Sequence, residues 1–432
     1  WTVATNKPPM GVYRGVARPG ACFAIERTID EIARAVGRDP MDVRIDNLVT
    51  PESMPYVSVC DMRFDNGDYP ESVRRVAELI DYQAIRTRQN VGEPDGRLIG
   101  VGLASFTEQS AHGAEEWVRR RTPIVAGYET ATARLGSDGN LTLMVAIHSH
   151  GQGMETTLAQ IAHEELGIHP DDVSVRFGDT AVSPFGMGTF ASRSIVMGGG
   201  AVANSCAKIR DKMARIAGHL LQCEAAEVTF AGGEARGPSG SMTLAEIGRI
   251  AHLRQEQLPG GMDPVLEETA TYEPGESAGV FSYATHAAVV LVDPGTGAVE
   301  LADFAVVEDC GTVVNPMIVD GQIIGGVVQG IGTAMFEEVP YDDGGQPLAT
   351  TFADYLLPGA ADIPSIKIGH MVTPAKLTKY GMKGMGEGGA IAPAAAIANA
   401  LRDAFAASGA EFNETPLTPA RVRAVLERAG RE

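Results

Sequence analysis

The sequence predicts an α+β protein, because stretches with a hairpin pattern alternate with stretches of helical period along its 432 residues. The glycine content is the second clue. There are 51 glycines, about 12% against an ordinary ~7%, with no three-residue period that would mean collagen. That excess belongs in turns and in places where backbones pass close to one another. Hydrophobic residues are 44% and charged residues 21%, a globular mix, and at roughly 150 residues per domain the length suggests two or three domains.

The elements follow in order. Ile25, Ile29, Ile32 and Val36 form one helical face, ended by Gly37 and followed by Pro40. Residues 50–68 carry turn residues and little periodicity. Pro70 opens a helix over 70–81, with Val73, Val76 and Ile80 on one side. Asn90–Arg97 is polar and reads as a linker, and the texture changes at about Leu98, which divides the chain into residues 1–97 and 98–432. The second part is long enough for two subdomains. Tyr128–Leu135 and Leu141–His148, joined by a Ser-Asp-Gly-Asn turn, predict a β-hairpin. A helix is predicted over 153–166 and a long one over 198–221. A second hairpin spans 287–307 around Asp293–Gly297. Ala394–Ala407 is Ala-rich and helical. Thr418 is an N-cap with Pro419 at the first helical position of a last helix ending near Ala429.

The formal net charge is -20, which disfavours nucleic acid and anionic membranes as partners. No apolar run is long enough to span a bilayer, and no leader pattern is seen. The five cysteines are scattered without a C-x-x-C pair. This argues against a disulfide framework or a Cys-ligated metal and for a reducing, cytoplasmic compartment. The start at Trp1 reads as a piece of a longer chain or a processed product.

Five segments stand out. In Lys383–Ala390 one carboxylate, Glu387, sits among four glycines before an apolar helix. So tight a place suits a general base, and an exposed glycine loop is the bland alternative. His148–Thr157 lies between a strand and a helix. Its glycines open amide donors to an anion, and Gln152 can both donate and accept. A plain strand–turn–helix joint fits equally well. A zinc pair from His148 and His150 competes, but H-E-x-x-H fails because position 167 is Gly. Gly186–Ser194 sets small hydroxyls beside glycines and reads as a cofactor cradle or as a helix cap, and no Walker loop exists. Gln329 stands alone in an apolar glycine-lined run and needs a partner if buried. Tyr13–Pro19 carries two arginines that fit an anion or substrate pocket or simple exposure.

In this order the segments resemble the molybdenum-binding subunit of the xanthine dehydrogenase/aldehyde oxidase family, including large subunits of the carbon monoxide dehydrogenase type. The signatures are T-N-x-P-P-x-G-x-Y-R-G at 5–15, I-E-R-x-x-D-E-x-A at 25–33 and V-R-x-x-N-L at 43–48. They continue with G-Q-G-x-E-T at 151–156, G-D-T at 178–180 and G-T-x-x-S-R-S at 188–194. The last are N-P at 315–316, V-x-G-Q-I-x-G-G at 319–326, Q-G-I-G at 329–332 and K-G-x-G-E at 383–387.

The resemblance implies molybdenum-cofactor-binding domains, with residues 1–97 the C-terminal part of the first and 98–432 the second. It implies a molybdenum–pyranopterin cofactor in the cytosine dinucleotide form, with no protein side chain as metal ligand. Partners would be the N-terminal half of the molybdenum subunit, an iron–sulfur subunit and an FAD subunit, arranged as a dimer of hetero-oligomers. Water-derived oxygen would be inserted at an electron-poor sp2 carbon of an aldehyde or N-heteroaromatic substrate, with two electrons leaving to the iron–sulfur and flavin partners. Glu387 falls on the family's catalytic glutamate and Arg14 on an arginine facing substrate. Gly151, Gln152, Gly153, Ala191, Ser192, Ser194, Gln329 and Lys383 fall on cofactor-contacting positions, and Arg44 on one that reaches the cofactor phosphate. Phe106 and His112 would shape the pocket. Gly15 replaces the copper-binding cysteine of carbon monoxide dehydrogenases, which disfavours carbon monoxide oxidation. A noncatalytic assembly subunit is the other alternative.

Overall fold

In the computed structural model, residues 3–5, 7, 11–275 and 279–430 are described. Asn6, Pro8 and Pro9 of the first signature lie outside them. Two helices open the chain, α1 (Arg18–Ala35) and α2 (Pro40–Asn47). A minimal hairpin, β1 (Tyr56–Val57) and β2 (Arg63–Phe64), leads to α3 (Tyr69–Leu79) and α4 (Tyr82–Val91). Then come β3 (Leu98–Ser110), α5 (Ala114–Arg119), β4 (Glu129–Leu135), β5 (Leu141–Val145), α6 (Met154–Leu166), β6 (Val173–Arg176) and α7 (Gly199–Leu221). A small sheet of β7 (Thr229–Ala231), β8 (Glu234–Gly237) and β9 (Gly240–Thr243) precedes α8 (Leu244–Leu253). The chain ends with β10 (Glu267–Tyr272), β11 (Val280–Val292), β12 (Val299–Asp309), α9 (Pro316–Met335), β13 (Ile366–Met371), α10 (Pro393–Ala404) and α11 (Pro419–Ala429).

Two four-stranded sheets organise these elements, in the orders β13-β12-β11-β3 and β10-β4-β5-β6. Both are antiparallel except for one parallel edge pair each, β12–β13 and β5–β6. Strand β11 is buried along its whole length because the first sheet is covered on both faces. Ala284, Ala288 and Val290 meet α9, α10 and α11 on one side. Tyr283, Ala287 and Val289 meet α3 and α4 on the other. This second core joins Val73 and Ile85 to Ile99 and Leu103, so it runs across position 97. Around β4 and β5, a third core is closed by α6 and α7.

Most predicted elements are present, and three differ for physical reasons. Helix α1 forms, but the face carrying Ile25, Ile32 and Val36 looks outward, with these residues 58%, 49% and 59% exposed. The buried side carries Cys22, Glu26, Arg27, Asp30 and Ala33. Buried ion pairing has overridden apolar periodicity there. Helix α4 lies where no apolar period announces it, because only Tyr82 and Ile85 are buried and Asp81 caps its start. Helix α9 replaces an expected glycine-lined run. Five glycines in 20 residues disfavour helix at about 1 kcal/mol each, but tight packing requires them. A Cβ on Gly326 would fall 2.7 Å from the Gly389 Cα, and one on Gly330 2.5 Å from Pro393.

Helix α10 lies on β3 in the same way: a Cβ on Gly102 would sit 2.1 Å from the Ala396 carbonyl oxygen. Gly102→Val is therefore expected to destabilise the protein by at least about 1–3 kcal/mol, read from urea unfolding. A neutral result would contradict the close strand–helix contact.

Candidate active site

The segments singled out in the sequence converge on one cavity of about 550 Å³. Four loops and one helix line it: residues 148–153 before α6, residues 186–194 before α7, residues 310–315 before α9, residues 383–388 before α10, and α9, with Arg14 reaching in from the chain before α1. Glu387 stands in its wall with a side chain 12% exposed. Its backbone N–H donates to Ser192 Oγ at 2.9 Å, and its Oε2 accepts from Arg18 at 2.9 Å. Arg18 also donates to the Gln109 carbonyl at 2.6 Å, so its position is fixed from both ends.

Backbone geometry explains the 186–194 loop. Ala191 and Ser192 both have positive φ, +49° and +53°. Two consecutive non-glycine residues in that region cost of order 1 kcal/mol or more each, and such strain collects where function fixes a loop. Arg193 supplies the restraint. It is 1% exposed and donates to Glu129 Oε2 at 2.7 Å and to the carbonyls of Gly188 and Tyr128. Glu129 in turn accepts from the N–H groups of Met187 and Gly188. Thr189 joins this loop to its neighbour, donating to the His148 carbonyl and accepting from the His148 N–H and the Ser194 hydroxyl.

Two family profiles, each described as a molybdopterin cofactor-binding domain, match residues 75–364 and 1–48. The chain belongs to the large-subunit family of the molybdenum hydroxylases. It is 35% identical to the nicotine 6-hydroxylase large subunit of Paenarthrobacter nicotinovorans, over 97% of this chain and 51% of that one. It is 32% identical to the carbon monoxide dehydrogenase large chain of Hydrogenophaga pseudoflava, over 97% and 52% respectively. Among solved structures, quinoline 2-oxidoreductase from Pseudomonas putida 86 superposes with a TM-score of 0.92 at 37% identity, covering 98% of this chain and 54% of that one. The chain thus spans about half the length of the curated relatives it matches.

Most of the residues that the resemblance marks lie around the cavity of this molybdenum hydroxylase chain. Gly151, Gln152, Ala191, Ser192, Ser194, Gln329, Lys383, Glu387 and Arg14 all border it. Gly153, with φ +74°, is the residue just before α6. Several side chains do work other than the expected contact. The Gln152 amide is spent on its own loop, accepting from His150 N–H and donating to the His148 carbonyl. Arg14 donates to the Gly386 carbonyl at 2.6 Å and to Gln322, clamping the Glu387 loop to α9. Burial lowers its pKa, against the opposing charges of Glu308, Glu108 and Glu387. The ammonium of Lys383 turns inward to Asp309 and Thr373 and lies over the Tyr283 ring. Cys310 also borders the cavity, and burial, then the charges of Glu308 and Asp309, push its thiol up to about 12. Phe106 packs in the core against His286, and His112 against Trp117, a ring removed from Phe190 in the cavity wall.

Arg44 requires a correction. It does not border the cavity. It is 1% exposed and is consumed by Glu26, Asp30 and the carbonyls of Pro40, Glu26 and Leu103. Sequence reasoning also passed over Glu129, Arg193, Glu108 and Glu308. All are charged residues in apolar surroundings, which is the signal that would have marked them.

The walls fit a pterin-type group. A Cβ at Gly151, with φ +100°, would meet nothing within 4 Å, so the backbone there faces open space. Gln329 borders the cavity and makes no side-chain hydrogen bond among the described residues. No group of His, Cys, Asp and Glu among the described residues is arranged to hold a metal directly.

Arg44→Met tests the correction. Stranding Glu26 and Asp30 is expected to cost about 3–5 kcal/mol, seen in urea unfolding of the native assembly. Molybdenum and nucleotide content per folded protein should stay unchanged, and loss of nucleotide alone would restore the phosphate role.

Proposed function

We propose that the chain forms the substrate-oxidising cavity of a molybdenum hydroxylase. In this reading the enzyme inserts water-derived oxygen at an electron-poor sp2 carbon of an N-heteroaromatic or aldehyde substrate. The observation that carries the proposal is Glu387, held nearly dry at a cavity wall between Arg18 and the Ser192 hydroxyl. Nicotine and quinoline, in the names of two relatives, are both nitrogen heteroaromatics, which supports that substrate class.

A molybdenum–pyranopterin cofactor bound there supplies the two-electron redox chemistry and the activation of the oxygen nucleophile. The protein contributes placement and proton handling. Glu387 takes the proton of the nucleophilic oxygen, and Arg18 fixes the carboxylate orientation. Arg14, by holding Gly386, sets the distance of the carboxylate from the cavity centre. Gly151, Gln152 and Gly153 with Ala191, Ser192 and Ser194 present backbone and small side chains to a planar ligand, and Gln329 offers an amide from α9. We read the cofactor as the cytosine dinucleotide form. The partners are the N-terminal half of the molybdenum subunit, an iron–sulfur subunit and an FAD subunit, in a dimer of hetero-oligomers in the cytoplasm. No helix among the described residues is long and apolar enough to cross a membrane.

Carbon monoxide oxidation is disfavoured at position 15. Gly15 has φ +95°, and a Cβ there would sit 2.8 Å from the Pro19 ring, so the backbone is not set for a copper-binding thiol.

Glu387→Gln is expected to lower turnover by about 10²–10⁴-fold with molybdenum content unchanged. Retained turnover overturns the assignment of the base. Elemental analysis of the native complex is expected to find molybdenum without copper.

A further inference from the structure

Two carboxyls behind Glu387 have no role in the account above. Glu108 on β3 is 0% exposed and Glu308 on β12 is 2% exposed. None of their four carboxyl oxygens has a well-aligned hydrogen-bond partner among the described residues. An ionised carboxylate buried without partners costs several kcal/mol, so such a group keeps its proton.

The sheet explains why they sit together. Phe106 pairs with Ala284, which pairs with Glu308, and Glu108 pairs with Ser282 one row further on the same face. Side chains two apart on a strand share a face, so both carboxyls point toward the loop before α10. Gly388, the residue after Glu387, rests on Glu308: a Cβ there would fall 2.2 Å from Glu308 Oε1. Arg18 brings Glu387 to this end of β3, donating to Glu387 Oε2 at 2.9 Å and to the carbonyl of Gln109, the residue after Glu108, at 2.6 Å, and Glu108 feels the charge of Glu387 there. Two cations face the cluster, Arg18 bonded to Glu387 and Arg14 opposite all three carboxyls. Asp309 lies behind Glu308, with its charge met by Lys383.

We propose that Glu108 and Glu387 share a proton, Glu108 being the neutral carboxyl that turns its proton toward the Glu387 carboxylate and orients it as the base. Glu108 is thus a positioning residue, acting through Glu387, and the inference rests on the reading of Glu387 given above. When Glu387 takes up a proton the pair holds two. One departs to solvent when the pair returns to its resting state, so protons balance. Burial, then repulsion from Glu387, pushes Glu108 up to about 8, and Ser192 and Arg18 oppose this. Glu308 is driven well above the carboxylate range by burial and then by Glu108. An acid whose pKa is higher folded than unfolded binds more protons when folded, between the two values. Stability associated with Glu108 is therefore complete below about 4.5 and falls as pH rises to about 8.

The test uses the native complex. Infrared spectra at pH 7 should show a deuterium-sensitive carboxylic-acid carbonyl band that loses one component in Glu108→Gln. The alkaline limb of the kcat/KM profile should lie near 8 and move up by at least about one pH unit in that variant, because an amide donates without titrating. An unchanged band with an unchanged alkaline limb would overturn the shared proton. Should the variant not fold, the wild type still decides. Its acid band must titrate away near 8, and a band that does not titrate there refutes the pairing. If Glu387→Gln is inactive while the Glu108 results are null, only the pairing fails. If Glu387→Gln turns over normally, the base assignment fails whatever Glu108 does.

Discussion

At Gly384, Gly388 and Gly389 the backbone runs against three other segments with no room for a side chain. A Cβ on Gly384 would fall 1.7 Å from the Ser192 carbonyl oxygen, and one on Gly389 2.5 Å from the Ile323 carbonyl oxygen. This contact brings Glu387 to the strained Ser192 loop on one side and to α9 on the other. The surrounding architecture is arranged to permit it. The glycines of α9 let that helix approach, and the alanines of α10 lie flat on β3. Close packing of this kind transmits small displacements rather than absorbing them, so the carboxylate is positioned by the fold as a whole.

Buried charge does the fastening. Arg44, Arg193 and Lys383 are each fully enclosed and each paired with a carboxylate from another part of the chain. Such pairs add little net stability compared with apolar contacts, because desolvation offsets attraction. They are unforgiving about geometry, however: Arg44, with all five of its donors satisfied, tolerates one arrangement only. Arg193 and Lys383 hold two of the loops that wall the cavity, and Arg44 holds α1, which carries Arg18 to Glu387.

Much of this was legible in the residues. The hairpins at 128–148 and 287–307, the helix after Gly153 and the capped terminal helix follow from local pattern and turn chemistry. The order of the short glycine motifs pointed to the loops that meet at the cavity. What local pattern could not show is pairing at long range. Ile25, Ile32 and Val36 promised a buried stripe, yet Glu26 and Asp30 went inside because Arg44 was waiting for them. The glycine-lined run of α9 carried no helical signal, and its glycines make sense only with Gly389 and Pro393 lying against them. Arg44 sat in a motif that suggested phosphate, while its partners lie 14 and 18 residues away in sequence.

The thiol of Cys310 borders the same cavity. Its surroundings hold it protonated far above neutrality, and a protonated sulfur is a poor nucleophile. Alkylating reagents and peroxide act on the thiolate, so this wall residue resists both adduct formation and the climb to sulfenic acid. The sulfur in this wall is thus carried in its least reactive form.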